Sequence, residues 1–237
     1  MLEPARIKGA KCQLPLLMPP FFHLEQLDGV RVLRLPSGDG TNRLTHACVL
    51  ALTEAFRDLA HKPEALIVTG NRRFFSAGAD LREIAALTGP EAYEFSRIGQ
   101  TLMNTVEQFP APVYAAISGY CMGGGLDLAL ACRQRIASPD AIFGHRGAAL
   151  GLITGWGGTQ RLPPLVGKAK ALEMFIAAEK LHARDALRCG LIDAVAEDPV
   201  AESVSRVNSS LQRHRVTQQD RIDREVVLRF DAGGTAL

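Results

Sequence analysis

Two short apolar runs constrain this chain more than anything else in it: Ala65-Leu66-Ile67-Val68-Thr69-Gly70 and Val113-Tyr114-Ala115-Ala116-Ile117. Neither alternates polar with apolar side chains, so each reads as a strand buried on both faces, as in parallel sheets covered by helices. A glycine-containing turn feeding a helix follows each run. The first turn reads Phe74-Phe75-Ser76-Ala77-Gly78-Ala79-Asp80-Leu81, and the second Gly119-Tyr120-Cys121-Met122-Gly123-Gly124-Gly125-Leu126-Asp127-Leu128. The expected fold class is therefore α/β.

Other elements fit around these. A strand is expected over Gly29–Leu35, closed by Pro36 and the turn Ser37-Gly38-Asp39-Gly40. Thr45 is a candidate cap for a helix with Val49, Leu52, Phe56 and Leu59 on its apolar stripe. A long helix from Pro90 to Phe109 should bury Tyr93, Ile98, Leu102, Val106 and Phe109, ending at Pro110 and Pro112. The helix at 123–131 is so dense in small and apolar residues that it should itself be buried. Short strands are expected at Arg135–Ser138 and Ala141–Phe143.

Beyond Gly151 the pattern turns helical: after Gly155-Trp156-Gly157-Gly158-Thr159, across Lys170–Ala178, at Ala183–Cys189, at Ala201–Arg213 and at Asp220–Phe230. The domain organisation expected is a loosely held extension over residues 1–20, an α/β core over 21–195 and a helical region over 196–237. No internal repeat is visible.

Composition excludes several classes. A formal charge of +2 is too mild for a nucleic-acid partner, and no basic run is interleaved with aromatics. The apolar stretch near the start is broken by Pro15, Pro19 and Pro20, so no membrane span is expected. Five cysteines (Cys12, Cys48, Cys121, Cys132, Cys189) show no C-x-x-C spacing, which points to reduced thiols, a cytoplasmic setting and no metal site.

The chemistry concentrates in the two glycine turns. Backbone at a helix start offers free N–H groups and the positive end of the helix dipole. The N–H of Ala79 can stand clear of any ladder, and Gly124 can bring its backbone against a ligand because no Cβ intervenes. If the turns converge, these two amides would cradle an oxygen that becomes negative during a reaction. Asp127 lies three residues beyond Gly124, on the same helix face. Its neighbours Leu126, Leu128, Ala129 and Leu130 are apolar, and burial there would raise its pKa toward the range useful for proton transfer. The alternative is a structural carboxylate paired with an arginine or with backbone donors.

No G-x-G-x-x-G, P-loop or G-x-S-x-G string is present, so dinucleotide, nucleoside-triphosphate and serine-hydrolase chemistry lack sequence support. Cys121 has no identifiable base partner and reads as a packed thiol. His145 and Arg146 fall in a loop after Phe143, where His145 is either structural or a neighbour of the site. Trp156 reads as packing.

Four segments in order resemble the enoyl-CoA hydratase/isomerase (crotonase) superfamily between about Phe22 and Val195. They are Phe75 through Leu81, Ala116 through Leu130, Gly155 through Leu162 (GWGGTQRL), and Ala186 through Ile192. The resemblance implies a spiral of β-β-α units, a helical C-terminal trimerisation region, and homotrimers or hexamers. It implies an acyl-CoA thioester as substrate, with coenzyme A entering as part of that substrate and no separate cofactor. Ala79 and Gly124 match the family's two oxyanion donors. Ser76, Ala77, Gly78, Asp80, Arg82, Gly123, His145 and Gly147 match positions expected to bind substrate or coenzyme A, with Arg82 near the phosphates or ribose.

The chain also departs from the pattern. Family hydratases carry two glutamates; here the first position is Asp127 and the second is Gly147. Hydration needs one group for the water and another for the α-carbon, so a single shortened acid predicts slow hydration. Three readings follow: an enoyl-CoA hydratase/isomerase-type enzyme with Asp127 moving a proton, a decarboxylase-like member, or a non-catalytic acyl-CoA-binding scaffold. The family's last helix, which often covers the adenine of a neighbouring subunit, is expected to be missing.

Overall fold

The computed structural model of the protein describes residues 21–35 and 38–212. The extension expected over 1–20, the turn residues Pro36 and Ser37, and the helix expected at Asp220–Phe230 lie outside the described residues.

Strand β1 (His23–Leu27) pairs antiparallel with β2 (Val30–Arg34). Next come β3 (Arg43–Leu44), α1 (His46–Leu59), β4 (Leu66–Thr69), β5 (Phe74–Ser76), β6 (Gly78–Ala79), α2 (Leu81–Ala85) and α3 (Gly89–Glu107). A second pass runs through β7 (Val113–Ile117), β8 (Tyr120–Met122) and α4 (Gly124–Ala131). A third runs through β9 (Gln134–Ala137), β10 (Ile142–Gly144), a 3-10 turn at Gly147–Leu150, α5 (Gly158–Val166) and α6 (Lys168–Ile176). After β11 (Leu181–His182), α7 (Ala183–Arg188) and β12 (Ala194–Val195), a last described helix, α8, covers residues 199–212.

These strands form a six-stranded sheet in the order β1-β2-β4-β7-β9-β12 and a four-stranded sheet in the order β11-β10-β8-β5. Three times in succession, at β4–β5, β7–β8 and β9–β10, the chain leaves the larger sheet and immediately adds a strand to the smaller one. This is the β-β-α spiral that the resemblance implies. The repeat escapes sequence inspection because the units share a geometry, two short strands and a helical return, without sharing residues.

The two apolar runs are buried on both faces, as their patterning predicts. Side chains alternate across each strand. Leu66, Val68, Val113, Ala115 and Ile117 enter the main core with Leu52, Phe56, Leu102 and Met103 from α1 and α3. Ile67, Tyr114 and Ala116 point the other way, onto Val204 and Val207 of α8. The described part of the helical region therefore covers the second face of the larger sheet.

Local signals set the helix ends. Thr45 caps α1, its hydroxyl accepting from the Cys48 N–H at 3.2 Å. Thr88 and Glu91 form a capping box at the start of α3. One expectation fails here: Tyr93 is 66% exposed. The buried face of α3 is set instead by Phe95, Gly99, Leu102, Met103 and Val106. Tyr93 lies two residues, about 200° of helical rotation, from Phe95, on the opposite side.

Candidate active site

In the smaller sheet, β5, β8 and β10 are adjacent and parallel. Their C-terminal ends therefore face one way, and the loops that leave them, at 77–80, 123–124 and 145–147, gather at one edge. They line a single cavity of about 290 Å³ that holds Ala77, Gly78, Ala79, Gly123, Gly124 and Asp127. His145, Gly147, Thr154 and Trp156 line it too. The remaining wall is mostly apolar, from Leu81 and Ile84 of α2 to Phe95 of α3 and Leu152 and Ile153. Topology thus brings both glycine turns to one pocket.

The turns meet closely. Gly78 has φ +89°, and a Cβ there would sit 2.7 Å from the Met122 carbonyl oxygen and 3.0 Å from the Gly124 nitrogen. Only glycine meets both the conformation and the spacing. Gly123 holds φ +52° as the residue before α4, and its own N–H donates to the Gly144 carbonyl at 2.9 Å. Gly124 opens α4, so its N–H belongs to the first turn, where amides have no intrahelical acceptor. A Cβ on Gly124 would collide with the Trp156 ring, which also stacks near Phe95 with centroids 5.3 Å apart. Trp156 is therefore packing, as expected, and pocket wall as well. Ala79 does not stand wholly clear of a ladder: a two-residue parallel bridge sets Ala79 opposite Leu44.

Three of the residues expected to bind substrate do not line the cavity. Ser76 is fully buried beneath the first turn, its hydroxyl accepting from the Gly78 N–H at 3.1 Å and donating to the Asn42 carbonyl at 2.7 Å. Asp80 caps α2, accepting from the Arg82 N–H at 2.8 Å, and lies 3.6 Å from the Arg43 guanidinium. The Arg82 side chain is 84% exposed on α2.

Asp127 sits in the first turn of α4, 1% exposed. Burial pushes its carboxyl up from 3.8 to about 7, against the opposing pull of the Thr154 hydrogen bond and the Arg161 charge. Thr154 Oγ1 donates to Asp127 Oδ2. Arg161 is itself anchored, donating to Glu107 at 2.6 Å and to Asn104 at 2.8 Å on α3. Gln100 Nε2 donates to the Gly155 carbonyl at 2.7 Å, tying the 154–157 loop to the same helix. His145 is 4% exposed, and burial pulls its imidazole down from 6.5 to about 4. Its Nε2 lies 3.4 Å from Asp127 Oδ1. Cys121 is fully buried, its thiol donating to the Gly125 carbonyl at 3.6 Å, and burial raises it well above its ordinary value.

The sequence reading assigned no role to Thr154 or Arg161. Arg161 lay inside a recognised motif; Thr154 lay one residue before it. Only the fold shows that this loop crosses back over α4. Gly147 lines the pocket, but a Cβ there would come 2.7 Å from the Leu152 carbonyl oxygen, and the Leu152 N–H donates to the Gly147 carbonyl at 2.9 Å. The loop is thus closed around a residue without a side chain. Among the described residues, no group of three or more potential ligands is placed to hold a metal, and no helix is long and apolar enough to cross a membrane.

Residues 25–223 match the family described as enoyl-CoA hydratase/isomerase. A probable enoyl-CoA hydratase of Bacillus subtilis (strain 168) is 47% identical over 135 residues, 56% of this chain and 52% of that protein. The chain thus spans about half the length of that relative. A crotonyl-CoA hydratase of Syntrophomonas wolfei is 37% identical over 177 residues, 73% of this chain and 68% of the relative. The crystal structure of enoyl-CoA hydratase from Thermoplasma volcanium superposes with a TM-score of 0.78 at 28% identity, covering 90% of this chain and 86% of the other. That of Bacillus anthracis enoyl-CoA hydratase gives 0.76 at 31% identity, with 80% and 76% covered. With a match across most of its length and the expected spiral in place, the chain belongs to the enoyl-CoA hydratase/isomerase family.

Proposed function

We propose that the chain is an acyl-CoA-processing enzyme of the enoyl-CoA hydratase/isomerase type that stabilises a thioester enolate in this pocket. The observation that carries the reading is the meeting of the loops after β5 and β8, with Ala79, Gly124 and Asp127 lining one cavity. The backbone N–H groups of Ala79 and Gly124 would donate to the thioester oxygen as charge develops on it. One such donor typically contributes about 3 kcal/mol to the transition state. Asp127 would move the proton at the α or γ carbon, and a carboxyl titrating near neutral pH suits transfer in either direction. The coenzyme A portion enters with the substrate. Assembly into trimers or hexamers is proposed on the family resemblance.

A non-catalytic acyl-CoA-binding scaffold is the second reading, favoured by Gly147, whose loop leaves no room for a carboxylate side chain. Incubation with crotonyl-CoA separates the two. Loss of the conjugated enoyl absorbance that disappears in Asp127→Asn supports the enzyme. Tight binding of crotonyl-CoA with no turnover supports the scaffold.

A further inference from the structure

In the pocket wall lie two polar atoms whose contact with each other the chemistry above leaves unused. Asp127 Oδ1 and His145 Nε2 are buried and have no hydrogen-bond partner among the described residues. They face one another at 3.4 Å, one from α4 and the other from the residue that follows β10. Asp127 Oδ2 is already engaged by Thr154, so Oδ1 is the oxygen left over. Burying one such atom unpartnered is unfavourable; burying two within reach of each other is resolved by a proton between them.

The surroundings keep this juxtaposition open. Gly158, at the start of α5, lies against both atoms, and a Cβ there would come 3.1 Å from His145 Nε2 and closer still to Asp127 Oδ1. Phe175 of α6 packs against the imidazole with centroids 5.2 Å apart. Other titratable groups around the pair are few. Arg161 of α5 acts on the carboxyl through its charge, Cys121 of β8 stays a neutral thiol, and Arg146 lines the same cavity.

We propose that Asp127 and His145 form one proton-holding unit, with a single proton shared between Oδ1 and Nε2, and that His145 is the positioning residue compensating for the carboxylate absent at Gly147. This rests on the enolate reading above, because the pair matters to turnover only if Asp127 moves a proton. Without the shared proton the pair carries one negative charge, and two lone pairs oppose each other. In the proton-free state the pair is the base: a proton leaving the substrate carbon is taken up by the carboxyl and becomes the one shared between Oδ1 and Nε2, its electron pair remaining on the enolate. Its return to the α or γ carbon restores the starting state. His145 therefore acts through Asp127.

Long-range proton–nitrogen spectra of the full chain labelled at histidine test the pairing without any substrate. Between pH 5 and 9, the His145 Nε2 signal of the wild type should move through one step close to neutral pH, and Asp127→Asn should abolish that step. A signal that ignores pH, or that titrates alike in both proteins, overturns the proposal. In parallel, His145→Gln should lower kcat for crotonyl-CoA on the order of tenfold, displace the midpoint of the pH profile, and leave KM within about twofold. An unchanged pH profile in that variant also overturns it. Should His145→Gln fail to fold, the spectra decide, since they need only the near-isosteric Asp127→Asn variant. Absence of crotonyl-CoA turnover in the wild type would instead defeat the enolate reading while the spectra still decide the pairing, so the two failures are distinguishable.

Discussion

Asp127→Asn should change the pH dependence of stability by an amount that the site itself sets. Burial raises the carboxyl from 3.8 to about 7, so between those values the folded chain keeps a proton that the unfolded chain has released. The stability tied to this group is full below pH 3.8 and is lost as the pH rises toward 7. At ~1.4 kcal/mol per unit, the total loss is about 4 kcal/mol. His145 runs the other way. Its imidazole falls from 6.5 to about 4, so its contribution is present above 6.5 and is lost as the pH drops through 4. In the wild type the two slopes oppose each other across that shared window. Removing the carboxyl leaves only the histidine slope, a rise of about 3 kcal/mol. Urea unfolding of both proteins at half-unit steps from pH 4 to 8 isolates the carboxyl together with its coupling to His145, because groups remote from the pair cancel in the difference. That difference should move in favour of Asp127→Asn by about 4 kcal/mol across the range. Parallel stability curves would refute the buried, neutral-titrating carboxyl.

Further perturbations probe the walls of the pocket. Gly124→Ala drives a methyl group into the Trp156 ring and should lower turnover of crotonyl-CoA on the order of a hundredfold while circular dichroism stays unchanged; pairing it with Trp156→Ala should recover part of the loss. Ser76→Ala removes the buried hydroxyl that links the Gly78 N–H to the Asn42 carbonyl under the first turn and should cost about 1–3 kcal/mol in denaturant unfolding. Gly147→Glu, which restores the family's carboxylate by sequence alone, meets the Leu152 carbonyl and should lower stability by roughly 1–3 kcal/mol without accelerating hydration; faster hydration of crotonyl-CoA in that variant would contradict the closed loop.

Much of the fold was legible because burial writes itself into patterning. The apolar runs at 65–69 and 113–117 could only be interior strands, and α4, with Gly125 through Ala131 all buried, could only be an interior helix. Helix-face assignment was less secure: α3 buries Phe95 and Met103 rather than Tyr93, since a sparse stripe admits more than one face. At the site, the glycine turns and Asp127 were readable from local chemistry. The contacts that tune Asp127 were not. His145, read as structural or as a neighbour of the site, proves to be that neighbour; Thr154, 27 residues on in sequence, and Arg161, on α5, act on Asp127 only because the chain folds back over α4. The same is true of Ser76, which a motif places among substrate contacts and the packing places underneath them.

Exchange of the α-protons of butyryl-CoA with solvent deuterium, followed by NMR, tests enolate formation directly and separates it from both hydration and isomerisation. The account predicts exchange in the presence of the wild type well above the uncatalysed rate, abolished in Asp127→Asn and sharply reduced in Gly124→Ala. Butyryl-CoA that binds yet exchanges no faster than in buffer would contradict it.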